Sequence, residues 1–211
     1  MEKPEVVIVD TGVANRHSVR NAIEHIGCNA VLSQDPDVIV ASTKLVFPGV
    51  GSFAAGMKTI RDRGLIEPLF EAVICRGVPV LGICLGFQMM AESSEEDGHH
   101  EGLGWVPGRV RRIKPNAPDM KIPHIGFNSV THRDDSFLFD GLPQPTDFYF
   151  LHSYRMEIGD AYISATCDYG GPFAAAIEYR NIAGTQFHPE KSQGAGLRVL
   201  RNFIERRSTP C

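Results

Sequence analysis

A cysteine stands between two glycines in the segment Gly82-Ile-Cys-Leu-Gly86, inside the apolar run that begins at Val78. The pattern G-x-C-x-G is the thiol counterpart of the G-x-S-x-G nucleophile elbow, where a nucleophile occupies a sharp turn from strand to helix. Such a turn needs unusual backbone angles and close packing, which glycines permit because they have no Cβ. The N-terminus of the following helix favours a thiolate. We therefore predict that Cys84 is a nucleophile.

The alternative for any cysteine is a small buried core residue, since free cysteines are often fully buried. We assign that role to Cys28, Cys75, Cys167 and Cys211, which have no glycine pair beside them. For Cys84 the two glycines and the strand–helix junction favour the nucleophile.

A candidate base lies at the exit of a later strand, in Gly184-Thr-Gln-Phe-His-Pro-Glu190. Pro189 pushes His188 toward an extended conformation, and in an extended chain residues i and i+2 project to the same side. We therefore expect Glu190 to contact the His188 imidazole and to hold its tautomer, which completes a nucleophile, base and orienting residue. The alternative is a strand-end histidine beside a solvated glutamate.

An oxyanion site is expected in the loop Phe47-Pro-Gly-Val-Gly-Ser52, which follows a strand and emerges at the carboxyl edge of the sheet. The N–H groups around Gly49, Val50 and Gly51 are left uncovered by the glycines, and the Leu85 N–H supplies a second donor. Without Cys84, the same loop reads as a plain turn. The pair His99-His100 has no acidic or cysteine ligands at metal spacing, so we predict neither a metal nor a cofactor.

Composition limits the partners and the compartment. The chain has 211 residues, 43% of them hydrophobic and 22% charged, with a net charge of -4. The pI is about 6.1, so charge makes no case for nucleic acid or an anionic membrane. The apolar run from Val6 to Val9 is too short for a signal peptide, and no run approaches a membrane span. Five scattered cysteines without a CxxC pair predict reduced thiols in the cytoplasm.

Strand and helix patterns alternate in the first half of the chain. We predict strands at 6–9, 30–32, 44–47 and 78–83, and helices at 16–26, 54–61, 66–75 and 87–92. In the second half the patterns predict hairpin strands at 109–113, 148–156, 162–166, 173–179 and 182–187, then a final amphipathic helix. The stretch 93–104 reads as a loop. These elements predict a single α/β domain over residues 1–211, with a central mixed, mostly parallel sheet flanked by helices.

Three motifs together, P-G-V-G-S-F, G-I-C-L-G-F-Q and Q-F-H-P-E, resemble the class I (triad) glutamine amidotransferases in order and spacing. The resemblance implies that Cys84 attacks the amide of glutamine to form a thioester, with His188 and Glu190 completing the triad. Further motifs resemble the glutaminase subunit of imidazole glycerol phosphate synthase in histidine biosynthesis: D-T-G-V-A-N (10–15), E-S-S-E-E (92–96), G-L-G-W-V-P-G (102–108), P-H-I-G-F-N (123–128), F-Y-F-L-H-S-Y (148–154) and H-P-E-K (188–191).

The resemblance also implies residue roles and a partner. Gln88 and Glu96 recognise the glutamine head group, Ser153 and Tyr154 line the site, and Asn15 and Lys191 face a partner protein. That partner is a (β/α)₈-barrel cyclase that receives the ammonia in a heterodimer and produces imidazole glycerol phosphate and AICAR. This chain departs from the family pattern at Phe127, where tryptophan is usual, and in its first loop, which often reads D-Y-G-x-G-N.

Other function classes stay open. A paralogous glutaminase that supplies ammonia to an enzyme of surface-polysaccharide sugars keeps the same chemistry and changes the acceptor. Glutaminases for anthranilate, GMP or purine synthesis fit the 123–128 and 148–154 motifs less well. A cysteine protease lacks its papain-type signature here, and an inactive regulatory subunit disagrees with an intact triad. The basic cluster Arg109, Arg111, Arg112 and Lys114 is interpreted as a solvated strand face, with partner docking as its alternative.

Overall fold

The fold was taken from a computed structural model, which describes residues 5–12 and 15–206. Cys211 and the Val13-Ala14 pair of the first-loop motif lie outside the described residues. The strands are β1 (Glu5–Val9), β2 (Asn29–Ser33), β3 (Leu45–Gly49), β4 (Val80–Cys84), β5 (Ser93–Ser94), β6 (His100–Glu101), β7 (Arg109–Arg112), β8 (His124–His132), β9 (Thr146–His152), β10 (Tyr154–Glu157), β11 (Ile163–Asp168), β12 (Pro172–Tyr179) and β13 (Ile182–Thr185). The helices are α1 (Arg16–His25), α2 (Pro36–Ala41), α3 (Phe53–Asp62), α4 (Ile66–Phe70, continued by a π-helical turn Glu71–Cys75), α5 (Leu85–Met89) and α6 (Gln193–Glu205).

Nine strands form one sheet in the order β2-β1-β3-β4-β13-β12-β11-β8-β9. The first five in this order are parallel, and the remaining neighbours pair antiparallel. A smaller sheet has the order β10-β7-β5-β6. The predicted α/β class with a mixed sheet flanked by helices is therefore confirmed, but the sheet is not mostly parallel, since four of its eight neighbouring pairs are antiparallel.

Two apolar clusters cover the two faces of the large sheet. One includes Val19 of α1 and Leu200 of α6, and the other includes Met57 of α3, Leu69 of α4 and Phe87 of α5. Because helices lie on both faces, every residue of β3 and β4 is buried, which is why these strands read as continuous apolar runs. Among the described residues, no helix has the length and apolar character needed to cross a membrane.

Several predicted elements need correction. The single strand predicted over 148–156 is two strands, β9 and β10, which belong to different sheets because the chain crosses over at Ser153. The helix predicted over 87–92 is α5, which starts two residues earlier and ends at Met89, and the predicted helix 66–75 changes from α to π geometry after Phe70. The loop predicted over 93–104 contains β5 and β6.

Two elements were missing from the sequence prediction. Helix α2 begins with Pro36, and its N-cap Asp35 accepts a hydrogen bond from the Asp37 N–H at 2.9 Å, so the capping signal was present in the sequence. Strand β8 was hidden because Gly126, with a φ of 123°, interrupts its pattern.

The basic cluster lies on and beside β7, where Arg111 contacts Glu95 and Glu157 at 3.1 and 3.4 Å.

Candidate active site

Cys84 is the last residue of β4 and stands directly before α5, with φ 53° and ψ −108°. This left-handed φ is a strained conformation for a residue with a side chain, as expected for a nucleophile elbow. The glycine after it is required by packing, since a Cβ on residue 86 would lie 1.8 Å from the Phe47 carbonyl oxygen of β3. The backbone of α5 therefore sits directly against β3, and this close approach fixes where the Cys84 sulfur points.

The side chains of His188 and Glu190 are in contact, as the sequence predicted, but the backbone between them has a different conformation from the predicted one. The His188 Nδ1 lies 2.9 Å from a Glu190 carboxylate oxygen, and the two side chains are 2% and 1% exposed. His188 itself is extended, whereas Pro189–Lys191 form a 3₁₀ turn. The expectation that an extended chain places both side chains on one side was therefore wrong, and the turn brings the carboxylate back onto the ring. The backbone N–H of His188 donates to the Tyr149 carbonyl at 2.9 Å, and this hydrogen bond connects the turn to β9.

The electrostatics of His188 favour the imidazolium. Burial acts to lower its pKa, but hydrogen bonds to the Cys84 and Glu190 side chains, together with their negative charges, act in the opposite direction and raise the pKa to about 10. At neutral pH the ring therefore carries a proton beside the Cys84 sulfur. A thiolate beside a protonated base can attack a carbonyl carbon, and the base can then protonate the leaving group.

The glycine loop lies where an oxyanion donor is needed. Gly49 is paired with Cys84 in the register of the parallel strands β3 and β4. Val50, Gly51 and Leu85 line the same cavity as Cys84, and Gly51 has a φ of 97°, which a residue with a side chain rarely adopts. The predicted oxyanion residues are thus gathered beside the sulfur.

A cavity of about 230 Å³ opens over the sulfur. It is lined by the predicted site residues Cys84, His188, Val50, Gly51, Leu85, Gln88, Glu96, Ser153 and Tyr154, together with Pro123, Leu151 and His152. Asn15 and Lys191 do not line it. Asn15 precedes α1, and the Lys191 Nζ lies 5.5 Å from the centre of the Tyr149 ring. Among residues 5–12 and 15–206, no cluster of three His, Cys, Asp or Glu side chains could hold a metal ion.

Glu96 connects the cavity to the glycine loop. One of its carboxylate oxygens accepts the Phe53 N–H at 2.6 Å, at the first turn of α3. Burial raises the pKa of Glu96, although this hydrogen bond acts to lower it. The second carboxylate oxygen is left for a cationic group in the cavity. Glu96 therefore links a ligand in the cavity to Phe53, which lies two residues after Gly51 in the chain.

Sequence reasoning missed a buried polar network behind the cavity. The Gln88 Nε2 donates to the Tyr154 carbonyl at 2.8 Å and to the Gln186 Oε1 at 2.9 Å, and the Gln186 Nε2 lies 3.8 Å from the Cys84 sulfur. Gln186 belongs to the motif Q-F-H-P-E, so its position was visible, but nothing in the motif indicates where its amide points.

Two buried histidines extend this network. The His152 Nδ1 lies 2.9 Å from the Tyr154 carbonyl, which accepts only, so His152 donates there and its Nε2 accepts from the His124 Nδ1 at 3.0 Å. Burial lowers the pKa of His124 to about 4 and that of His152 to about 3. Both rings are therefore neutral at physiological pH.

These two histidines should destabilise the fold in acid. Their folded pKa values lie below the 6.5 of an ordinary histidine. Between about pH 6.5 and 4 the unfolded chain binds protons that the folded chain does not. The free energy of unfolding therefore decreases as the pH is lowered, by up to about 1.4 kcal/mol per pH unit for each histidine. The variant His124→Phe keeps a ring against Phe150 and Tyr169. When the pH is lowered from about 7.5 to 5, its free energy of unfolding should decrease by about 1–2 kcal/mol less than that of the wild type.

Urea unfolding at the two pH values measures this difference. The control His17→Gln removes an exposed imidazole and should keep the wild-type loss. An equal loss in all three proteins would contradict the assignment of His124 as a buried neutral base.

Comparison with known proteins adds the family context. The family model described as "Glutamine amidotransferase class-I" matches residues 7–206. The chain is 44% identical over 202 residues to the imidazole glycerol phosphate synthase subunit HisH 2 of Vibrio vulnificus strain YJ016, covering 95% of this chain and 94% of that protein. It is 45% identical over 205 residues to subunit HisH of Vibrio cholerae, covering 95% of this chain and 98% of that protein.

Solved structures agree with the fold. A putative GMP synthase protein from Thermoplasma acidophilum superposes with a TM-score of 0.73 at 20% identity, over 97% of this chain and 94% of that one. The structure of PurLQS from Thermotoga maritima superposes with a TM-score of 0.71 at 17% identity, over 96% of this chain and 98% of the other. At such identities the likeness concerns the fold alone.

Proposed function

The chain belongs to the class-I glutamine amidotransferase family, and on that premise we propose that it is the glutaminase subunit of imidazole glycerol phosphate synthase in histidine biosynthesis. The observation that carries the proposal is that Cys84 and His188 line one cavity beside a glycine loop, with the Glu190 carboxylate 2.9 Å from the His188 Nδ1. The relatives that carry the synthase name, at 44% and 45% identity over nearly the whole chain, support the assignment to histidine biosynthesis.

In the first half of the reaction the Cys84 sulfur attacks the side-chain carbonyl carbon of glutamine. The carbon–sulfur bond forms, and the carbonyl electrons move to the oxygen, which N–H groups around Gly49–Gly51 and Leu85 stabilise. The His188 imidazolium gives its proton to the departing nitrogen, ammonia leaves, and a γ-glutamyl thioester remains. Glu190 holds the ring through its Nδ1 and stabilises its charged form.

In the second half His188, now neutral, takes a proton from water. The resulting oxygen nucleophile attacks the thioester carbon, the carbon–sulfur bond breaks with its electron pair on sulfur, and glutamate is released. The cycle returns the Cys84 thiolate and the His188 imidazolium.

The cavity offers groups for the amino-acid end of glutamine. The Glu96 oxygen that is not bound to Phe53 suits the α-ammonium. Both donor positions of the Gln88 amide nitrogen are used within the protein, so its oxygen is left to accept from the substrate. Ser153 and Tyr154 line the wall between β9 and β10.

Glu190→Gln should separate the orienting role from the nucleophile. The amide keeps the volume but removes the charge that stabilises the His188 imidazolium, so we expect kcat for glutamate release to fall about 10²–10⁴-fold with little change in KM. Steady-state glutamate release measures it. Glu205→Gln, at an exposed glutamate of α6, is the matched control and should be unaffected. A kcat within about threefold of wild type would refute the role of Glu190.

The ammonia acceptor in this proposal is a (β/α)₈-barrel cyclase bound as a heterodimer over the cavity mouth. An apolar patch lies there, formed by Ile125, Phe127, Tyr149 and Leu151 on the neighbouring strands β8 and β9. Ile125 is 59%, Phe127 50% and Leu151 39% exposed, and Leu151 also lines the cavity. Exposed apolar groups of this size, next to a site that releases a small volatile base, suit a protein surface that covers the exit.

Ile125→Asp should weaken this complex. The substitution puts an uncompensated charge into the apolar patch without touching the triad, and we expect the Kd for the cyclase to rise at least about 30-fold. Titration calorimetry with the cyclase of the same organism measures it. Ile74→Asp, at an exposed isoleucine of the π-helical turn after α4, is the control. Equal losses for both variants, or none for Ile125→Asp, would exclude the patch as the docking surface.

The function is tested by glutamate release from glutamine, measured for the chain alone, with the cyclase, and with the cyclase and its nucleotide ligand. Strong activation in the ligand-bound complex is the expected result. Glutaminase activity that ignores the cyclase would favour the second candidate, a paralogous glutaminase with another ammonia acceptor. No activity in any mixture would refute the glutaminase assignment.

One observation favours keeping that second candidate in the test: Phe127 stands where the family pattern has tryptophan, and it lies in the apolar patch. A cytoplasmic location is also part of the proposal, and the scattered cysteines support it.

A further inference from the structure

We propose that Gln186 is a further catalytic residue, whose side-chain amide N–H donates a hydrogen bond to the Cys84 sulfur and holds it as the thiolate. For the reaction itself this rests on the proposed function, but the state of the sulfur can be measured without it. The Gln186 Nε2 lies 3.8 Å from the Cys84 sulfur, and the side chain is fully buried. It follows the last residue of β13, the strand next to β4, so a rigid sheet positions both residues.

The orientation of the Gln186 amide follows from its neighbours. The Tyr154 carbonyl can only accept, so the Gln88 atom that faces it is the nitrogen. The second N–H of that nitrogen points at Gln186 and needs an acceptor, which is the Gln186 Oε1 at 2.9 Å. The Gln186 nitrogen must then face Cys84. The opposite orientation would place two N–H groups against each other, and it would add a second oxygen beside the sulfur, which already lies 3.8 Å from the Leu151 carbonyl.

Gln186 supplies something that His188 does not. The groups that titrate around the sulfur are His188, with Glu190 behind it, and the cavity residues His152, Glu96 and Tyr154. His188 gives up its proton when ammonia leaves and regains one only as water attacks, so its stabilisation of negative sulfur depends on each proton transfer. An amide N–H does not titrate. It remains beside the sulfur when the carbon–sulfur bond of the thioester breaks and the electron pair returns to sulfur, which makes the sulfur a better leaving group.

The test follows alkylation of the Cys84 thiolate by iodoacetamide as a function of pH, quantified on the Cys84 peptide by mass spectrometry. Cys75 is the internal reference, because it is an exposed thiol of the same chain and not the buried core residue that the sequence predicted. Gln186→Met keeps an unbranched side chain and removes the donor. We expect the pH at which Cys84 alkylation reaches half its maximum to rise by about one unit or more, because a hydrogen bond to the charged form is lost. Cys75 should keep its wild-type profile.

Two further variants separate the donor role from structural support. Thr185→Val removes a neighbouring buried hydroxyl that donates to the Phe187 carbonyl at 3.0 Å, and its Cys84 profile should stay as in the wild type. Gln186→Met leaves a Gln88 N–H without an acceptor, which by itself destabilises the fold. The double variant Gln88→Met/Gln186→Met removes that orphaned donor and should show the same upward shift. An unchanged Cys84 profile in either Gln186 variant would overturn the proposal.

Glutamate release by the complex with the cyclase and its ligand gives the second readout. Gln186→Met should lower kcat about tenfold or more, with a smaller effect on KM. A wild-type complex that releases no glutamate would refute the proposed function, while the alkylation profiles would still decide whether Gln186 holds the thiolate. A change confined to KM, with no shift of the alkylation profile, would assign Gln186 to substrate positioning through Gln88 and refute the donor role.

Discussion

Cys84→Ala should abolish glutamate release, by at least about 10⁴-fold, while ammonia-dependent synthesis by the complex continues. The variant removes the atom that forms the thioester, and no other described cysteine lines the cavity. The backbone at this position has a φ of 53°, which alanine tolerates no worse than cysteine, so the fold should be retained. The cyclase site lies on another chain in the proposal and needs only ammonia, which can be supplied in solution.

Paired assays with glutamine and with an ammonium salt as nitrogen donor measure the two activities of the complex. Cys75→Ala, at an exposed cysteine, is the matched control and should keep both. If Cys84→Ala lost both activities while remaining folded, glutamine hydrolysis and synthesis would not be divided between two subunits as proposed. Residual glutamate release above about 1% would assign the nucleophile to another residue.

Gly86→Ala should disrupt the elbow itself. The new Cβ would lie 1.8 Å from the Phe47 carbonyl oxygen and 2.8 Å from its carbon, and these backbone atoms cannot move without displacing β3. We expect a loss of about 3 kcal/mol in the free energy of unfolding. Because the shift separates Cys84 from Gly49–Gly51, we also expect at least a 100-fold fall in glutamate release, on the order expected for a misplaced reacting group.

Gly194→Ala is the control for Gly86→Ala. Gly194 lies in the first turn of α6, and a Cβ there would meet nothing within 4 Å. Urea unfolding and glutamate release should both stay at wild-type values or rise slightly. Wild-type stability of Gly86→Ala would mean that α5 does not depend on its contact with β3, and the packing explanation of the second elbow glycine would be wrong.

The sequence alone was sufficient to predict the α/β class and to identify Cys84, His188 and Glu190 as a proposed triad. Buried parallel strands carry continuous apolar runs, so β1, β3 and β4 could be predicted from the sequence. Residues at the carboxyl ends of neighbouring parallel strands lie at the same edge of the sheet. Cys84 and Gly49 end the adjacent parallel strands β4 and β3, which is why their proximity could be predicted. The strand before His188, β13, was predicted as part of a hairpin, and only the tertiary structure places it parallel to β4. The need for glycine in the elbow could also be predicted, because only a residue without a Cβ permits the close approach of α5 to β3.

Tertiary structure alone decided the features that depend on partners distant in the chain. Gln186 reaches Cys84 across 102 positions, Glu96 caps α3 across 43, and His152 meets His124 across 28. No local period or motif encodes which way a buried amide or ring points, since that is set by the donors and acceptors around it. The division of 148–156 into β9 and β10 is of the same kind. Local patterns therefore predicted the proposed nucleophile and its base, and the folded surroundings determined which buried groups contact them.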